Sequence, residues 1–270
     1  MRNACAVLLA SCAAVALHEG AGAETWTRDL LTVSTISPPA AVLVIRSDGK
    51  RVGADPSRAL SPAGTGSEVN EFPLAAIEQQ NTGGDDPGNP ETSPRTSWYV
   101  RIMDESPAEY TVQVRGFSED VAWLQVTMIV RPRPIPYSRP LSELRFFISP
   151  GEMREFRVAT DRDARTVSLV RLTSPGDLAQ SGRIACALGF IAPQGLCRSL
   201  EAKAQAAEAS LKRGDRRAAR SQLRAYLNEL EAQAGKHVQE PALTILREEA
   251  EALLNPPSPM PKPKKPKSGK

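Results

Sequence analysis

The sequence predicts an α+β fold in two parts, an antiparallel β-sandwich of about seven or eight strands followed by a small three-helix module. Three observations carry this. Apolar residues recur with period two from about Thr32 to Leu172, the period turns helical after Pro193, and Gly, Pro, Asp and Asn gather between the periodic runs. With 270 residues, 41% of them apolar, 24% charged and 5% aromatic, the chain has the composition of a globular protein and not of a membrane bundle.

The first segment reads as a leader. Arg2 precedes an apolar run from Ala4 to Leu17, and Ala21-Gly22-Ala23 offers a small-residue cleavage site before Glu24, so residues 1–23 are expected to be a secretory signal peptide. The run falls short of the roughly 20 apolar residues that cross a bilayer. A competing reading takes Leu9-Ala10-Ser11-Cys12 as a lipobox, with Cys12 as the lipidated first residue of a lipoprotein. Cysteine usage fits export. Cys5 and Cys12 fall in the leader, and Cys186 and Cys197 are left to form one disulfide across an intervening loop that contains Pro193-Gln194-Gly195. Buried thiols are the alternative.

Residues 24–175 carry the strands. Tyr110, Val112 and Val114 alternate with Thr111, Gln113 and Arg115, and Ala122, Leu124, Val126, Met128 and Val130 mark a second half-buried strand. Further strands are expected at Ala41–Arg46, Trp98–Met103, Leu144–Ile148, Glu155–Ala159 and Val167–Leu172, with Asp48-Gly49 as a hairpin signal. Trp98, Tyr99 and Trp123 are expected to fill the core rather than to form a sugar-stacking platform. The stretch 81–95 lacks apolar periodicity and reads as a polar surface loop. Its Asp85, Asp86 and Glu91 have the oxygen ligands that calcium prefers, without the spacing of a calcium loop; Asp161 and Asp163 read as a turn.

Residues 176–254 carry the helices. Leu196, Leu200, Ala207 and Leu211 mark one face of the first; Ala219, Leu223, Tyr226, Leu227, Leu230 and Ala234 of the second; Leu243, Leu246, Ala250 and Leu253 of the third. Gly214 is placed to end the first helix and Asp215 to cap the second, which accounts for Arg213-Gly214-Asp215 without an integrin-like role. Gly235 is placed to end the second helix, and Pro241 suits the first turn of the third.

Residues 255–270 read as a disordered Pro/Lys-rich tail. The formal charge of +3 resides there, because residues 24–254 hold 28 basic and 30 acidic residues. Lys262, Lys264, Lys265 and Lys267 are therefore the positions expected to touch an anionic envelope polymer, and the body is read as having no basic character of its own.

The run Gly195-Leu196-Cys197-Arg198-Ser199-Leu200, then Lys203, Arg213-Gly214-Asp215, and Gln222 to Gln233 with Gly235-Lys236 resembles the FIMAH-type helical module found at the C-terminal end of many secreted bacterial proteins. Tyr226, Leu227 and Ala204 depart from its usual residues while keeping the packing type. The resemblance implies location and architecture and supplies no catalytic residue. Upstream, Ser37-Pro38, Val42–Ile45, Asp48-Gly49, Lys50-Arg51, Gly53 to Pro56 and Asn70-Glu71-Phe72-Pro73 resemble β-sandwich segments of exported modular proteins. Asn70 and Glu71 are placed to clamp backbone groups near a strand end.

Catalytic chemistry finds little purchase. Beyond the leader the chain has a single histidine, His237, and it lacks the glycine-rich, phosphate-loop and Gly-x-Ser-x-Gly signatures. No catalytic residue, metal or cofactor is expected. The expected function is that of an exported non-catalytic binding or structural module, periplasmic or extracellular, whose partner is an envelope or secreted protein or a polysaccharide and not a specific nucleic acid. An accessory subunit or inhibitor of a secreted enzyme is the alternative, with a carboxylate-dependent glycoside hydrolase behind it.

Overall fold

The computed structural model describes residues 29–36, 40–55, 68–73, 75–81, 96–104, 109–129, 141–161 and 166–256. The expected leader with Cys12, the residues Asp85, Asp86 and Glu91, and the lysines of the tail lie outside the described residues. The strands come first: β1 (Asp29–Ile36), β2 (Ala40–Arg46), β3 (Arg51–Ala54), β4 (Glu68–Asn70), β5 (Ala75–Asn81) and β6 (Thr96–Asp104). They continue with β7 (Glu109–Gly116), β8 (Asp120–Ile129), β9 (Leu141–Ile148), β10 (Met153–Asp161) and β11 (Thr166–Leu172). The helices follow as α1 (Pro175–Ala187), α2 (Gln194–Lys212), α3 (Arg216–Ala232) and α4 (Ala242–Leu254).

Two antiparallel sheets face each other, one in the order β5-β6-β1-β8-β9 and the other β11-β10-β7-β2-β3-β4. The predicted alternation holds where it is clearest: Tyr110, Val112 and Val114 of β7 and Ala122, Leu124, Val126 and Met128 of β8 are buried. Phe146 of β9 meets Phe156 of β10 between the sheets, with ring centroids 4.8 Å apart. Trp98 is buried in the same core.

The described residues hold eleven strands where seven or eight were expected, and β1, β4 and β5 have local reasons for being missed. β1 runs in mid-sheet between β6 and β8. Leu31, Val33, Ser34 and Thr35 are all buried there, so the in-and-out rhythm that marks a half-buried strand is absent. Thr35 answers its burial by donating through Oγ1 to the Ala40 carbonyl at 3.3 Å. β4 is three residues long, and β5, an edge strand, ends in Glu-Gln-Gln-Asn.

Among the described residues four helices, not three, follow the sandwich. Pro175, Gly176, Ser181 and Gly182 dilute the pattern of α1 and lower its propensity. Its start is nonetheless defined by a capping box in which Ser174 Oγ accepts from the Asp177 N–H at 3.2 Å and the Ser174 N–H donates to the Asp177 carboxylate at 2.7 Å. Leu178, Ile184 and Ala185 bury its inner face. The other three helices lie where the period placed them, with shifts of detail. Leu211 is 41% exposed and lies off the buried face, Ile245 joins Leu246 and Ala250 in the core of α4, and Pro241 caps α4 from just outside its first turn.

Strand β9 belongs to both cores. Phe146 and Ile148 point into the sandwich, and Phe147 between them points the opposite way, into the core of the helices beside Val121 of β8. Its ring centroid lies 6.1 Å from that of Phe190. Burial of such a ring contributes about 1.5–3 kcal/mol.

Candidate functional site

The joint between sheets and helices holds three buried charged side chains, Arg154, Arg171 and Glu249. Arg154 on β10 donates through Nη2 to Ser181 Oγ at 3.0 Å and to the Asp177 carbonyl at 3.3 Å, and pairs with Glu152 at 2.7 Å and Asp177 at 3.5 Å. Arg171 on β11 donates to the carbonyls of Arg145 and of Ile245, and faces the fully buried Glu249 of α4 at 3.4 Å. It thereby ties the edge strand of each sheet to a helix.

Burial pushes the Glu249 carboxyl above the usual carboxylate range. Arg171, Arg154 and the Ser181 hydroxyl pull it back in part, and Asp177 adds to the rise. The Tyr226 phenol is pushed up in the same way, first by burial and then by Glu249 and Glu229. Neither the Tyr226 hydroxyl nor the Glu249 oxygens have a hydrogen-bond partner among the described residues. A cleft of about 340 Å³ opens beside Arg154, but Glu249 lies outside its lining. The cluster ties β10 and β11 to α1 and α4.

The cysteines meet as a disulfide, Cys186 at the end of α1 with Cys197 in the first turn of α2, their Cα atoms 6.2 Å apart. The loop between them is pinned to the α3–α4 turn, since Ala192 N–H donates to the His237 carbonyl and Gln239 N–H to the Phe190 carbonyl, each at 2.9 Å. His237 serves through its backbone, and its side chain is exposed. A cleft of about 450 Å³ beside the bridge is lined by Arg183, Gln194, Arg198 and Glu201 among others, and Arg183 and Glu201 pair across it at 2.7 Å.

The remaining sequence-predicted positions act structurally where they are described. Gly214 holds φ +82° and Gly235 φ +71°, a region in which a side chain is strained. Asp215 accepts from the Ala218 N–H at 2.9 Å and starts α3. Asn70 donates to the Ala75 carbonyl at 3.0 Å and Glu71 accepts from the Arg51 N–H at 3.0 Å, with the Arg51 guanidinium holding the Glu71 carboxyl below its ordinary range. Trp123 is stacked under the Arg145 guanidinium at 4.2 Å, away from any platform with the buried Trp98. Asp161 closes β10, and Asp163 is outside the described residues. Among the described residues no cluster of three or more His, Cys, Asp or Glu side chains could hold a metal ion.

The feature the sequence reading missed lies on α3, and it corrects the assignment of all basic character to the tail. Arg216, Arg217, Arg220 and Arg224 are exposed, and none forms an ion pair among the described residues. At 3.6 residues per turn they fall within an arc of about 100°. Arg216 and Arg217 occupy the first turn, where the positive end of the helix opposes them. Like charges four apart cost about 0.2–0.5 kcal/mol per pair in an isolated helix. Local counting shows the signal: residues 212–224 hold six basic side chains and one acid, Asp215. The whole-body total hid it, because acids elsewhere balance it.

The orientation of that face is fixed from behind. Ala219, Leu223, Tyr226 and Leu230 are buried on the opposite side of α3. Lys203 Nζ donates to Ser199 Oγ at 2.8 Å and to Glu229 at 2.9 Å, while Ser199 donates to Glu229 at 2.8 Å, which clamps α2 to α3. Arg247 of α4 approaches Glu231 at 3.5 Å.

Residues 187–255 match the FIMAH domain. The match takes in α2, α3 and α4 and begins at the last residue of α1, so most of the helix that docks against β9 precedes it. No curated protein and no solved structure matches the chain.

Proposed function

We propose that this protein is an exported, non-catalytic binding or structural module that works at the bacterial envelope or outside the cell. The observation that carries the reading is the uncompensated arginine face of α3, held in one orientation by a buried core and an interhelical clamp. Charge left unpaired on a rigid support is available to a partner, whereas the charges of the joint are committed to one another. The disulfide supports an oxidising compartment, and the apolar run ahead of Glu24 supports a leader cleaved at that point. A partner gripping by apolar contact is disfavoured, because the exposed large apolar side chains among the described residues, Met153, Leu188 and Leu211, sit on different elements.

Fractionation of producing cells with mass spectrometry of the N-terminus tests this reading. The expected product begins at Glu24, is retained by the envelope at low salt and is released at high salt. A chain that stays in the cytoplasm with its leader intact, or turnover of a substrate abolished by changing one acid, overturns it.

A further inference from the structure

Resting on that reading, we infer that the outer face of α3 is a binding site for a linear acidic polysaccharide, with Arg216, Arg217, Arg220 and Arg224 as its carboxylate- or sulfate-binding side chains. Four observations support this. The four cations form a stripe along the helix axis, with Arg216, Arg220 and Arg224 one turn apart in succession. A row of that kind matches a ligand whose anions recur along a chain rather than a single ion.

All four are arginines. The planar guanidinium takes a carboxylate or sulfate through two parallel N–H donors, which an ammonium cannot do. The tail, by contrast, carries only lysines. Exposed Ser221 and Asn228 lie along the flank of the stripe, Ser221 beside Arg217 and Arg224, and offer neutral donors and acceptors to sugar hydroxyls. Finally, no exposed large apolar side chain lies on α3. A helix that beds into a lipid surface presents an apolar face beside its cations, and this one turns its apolar face inward against α2 and α4.

The test uses the full chain and three variants. One carries Arg216→Gln, Arg217→Gln, Arg220→Gln and Arg224→Gln together. A second replaces the same four positions by Lys. The third carries Lys262→Gln, Lys264→Gln, Lys265→Gln and Lys267→Gln. The probes are a fluorescent polyuronate of the alginate type, and vesicles of phosphatidylglycerol and phosphatidylethanolamine, each across a salt series, with thermal melting as the control for folding. The parent should bind the polyuronate with an affinity that falls as salt rises.

The glutamine set should weaken polyuronate binding roughly tenfold to hundredfold and flatten its salt dependence. The lysine set should recover only part of the loss, because point charges lack the fork. The tail variant should bind within about threefold of the parent, as expected if its lysines contribute only screened, nonspecific attraction. Loss of binding in the tail variant with full binding in the glutamine set overturns the site, and tighter binding to vesicles than to polyuronate assigns the face to a lipid surface instead. If no polyuronate binds but the glutamine set is still shed from envelopes, the ligand class falls and the binding-module reading stands. A glutamine set retained on envelopes as well as the parent removes both.

Discussion

The joint and the outer face of α3 use arginine in opposite ways. At the joint Arg154 and Arg171 are buried, and each finds carbonyls, a hydroxyl or carboxylates to meet it, down to the fully buried Glu249. On α3 four arginines stand in water with no acid paired to them among the described residues. The physical reason is dielectric. An unpaired charge in the interior costs several kcal/mol, whereas on the surface water and salt screen it to a fraction of that. Unpaired like charge is therefore tolerable only outside, and there it confers binding capacity at little cost to folding.

The largest expected effect comes from breaking the joint. Arg171→Ala should destabilise the protein by about 3–5 kcal/mol in urea unfolding, because it strands Glu249 as well as removing an arginine. Replacing Arg171 by Met and Glu249 by Leu together should restore much of that loss; a single mutant costing under about 1 kcal/mol would break the contrast between the two surfaces. Next in size is the disulfide, which joins the helix at the joint to the helix that backs the arginine face. Changing Cys186 and Cys197 to Ser should cost about 2–3 kcal/mol in the same assay and leave the arginine face intact in the folded protein.

A smaller effect is set by pH. The native Glu249 carboxyl ionises above its unfolded value of about 4.5. A carboxyl raised in this way holds its proton more tightly when folded, so its contribution is complete below the unfolded value and is lost as pH rises through the native one. Comparison of the parent with Glu249→Gln across pH should show the parent losing relative stability over that window, and parallel curves would mean that the joint holds Glu249 ionised at no cost. The smallest effect is expected on α3. Neutralising its four arginines should raise stability by no more than about 0.5 kcal/mol per like-charge pair removed while envelope retention collapses. A large loss of stability there would show that those arginines serve the fold.

Much of this fold is legible in the sequence itself. The strands β7 and β8 announce themselves because one of their faces is buried and the other is wet, so Tyr110, Val112 and Val114 alternate with polar neighbours. β1 was missed because Ser34 and Thr35 are buried with Leu31 and Val33 in mid-sheet. α1 was missed because its stability comes from packing on β9 and from the Ser174–Asp177 box, and not from its own propensity. The disulfide and the turn at Gly214-Asp215 were readable because each is a local arrangement, closed within a few residues or one short loop.

The arginine face could have been found by counting charge in windows the length of a helix instead of over the whole body. The joint could not. Arg154, Arg171 and Glu249 look like surface residues in the sequence, since charged side chains are ordinarily exposed. Sequence periodicity reports which side of an element avoids water, and it carried the two-part order of strands and helices and most of the buried faces of α2, α3 and α4. Which charges were to be buried, and against whom, depended on strand β9 lending Phe147 to a second core. That is a long-range packing arrangement, and no local window of residues contains it.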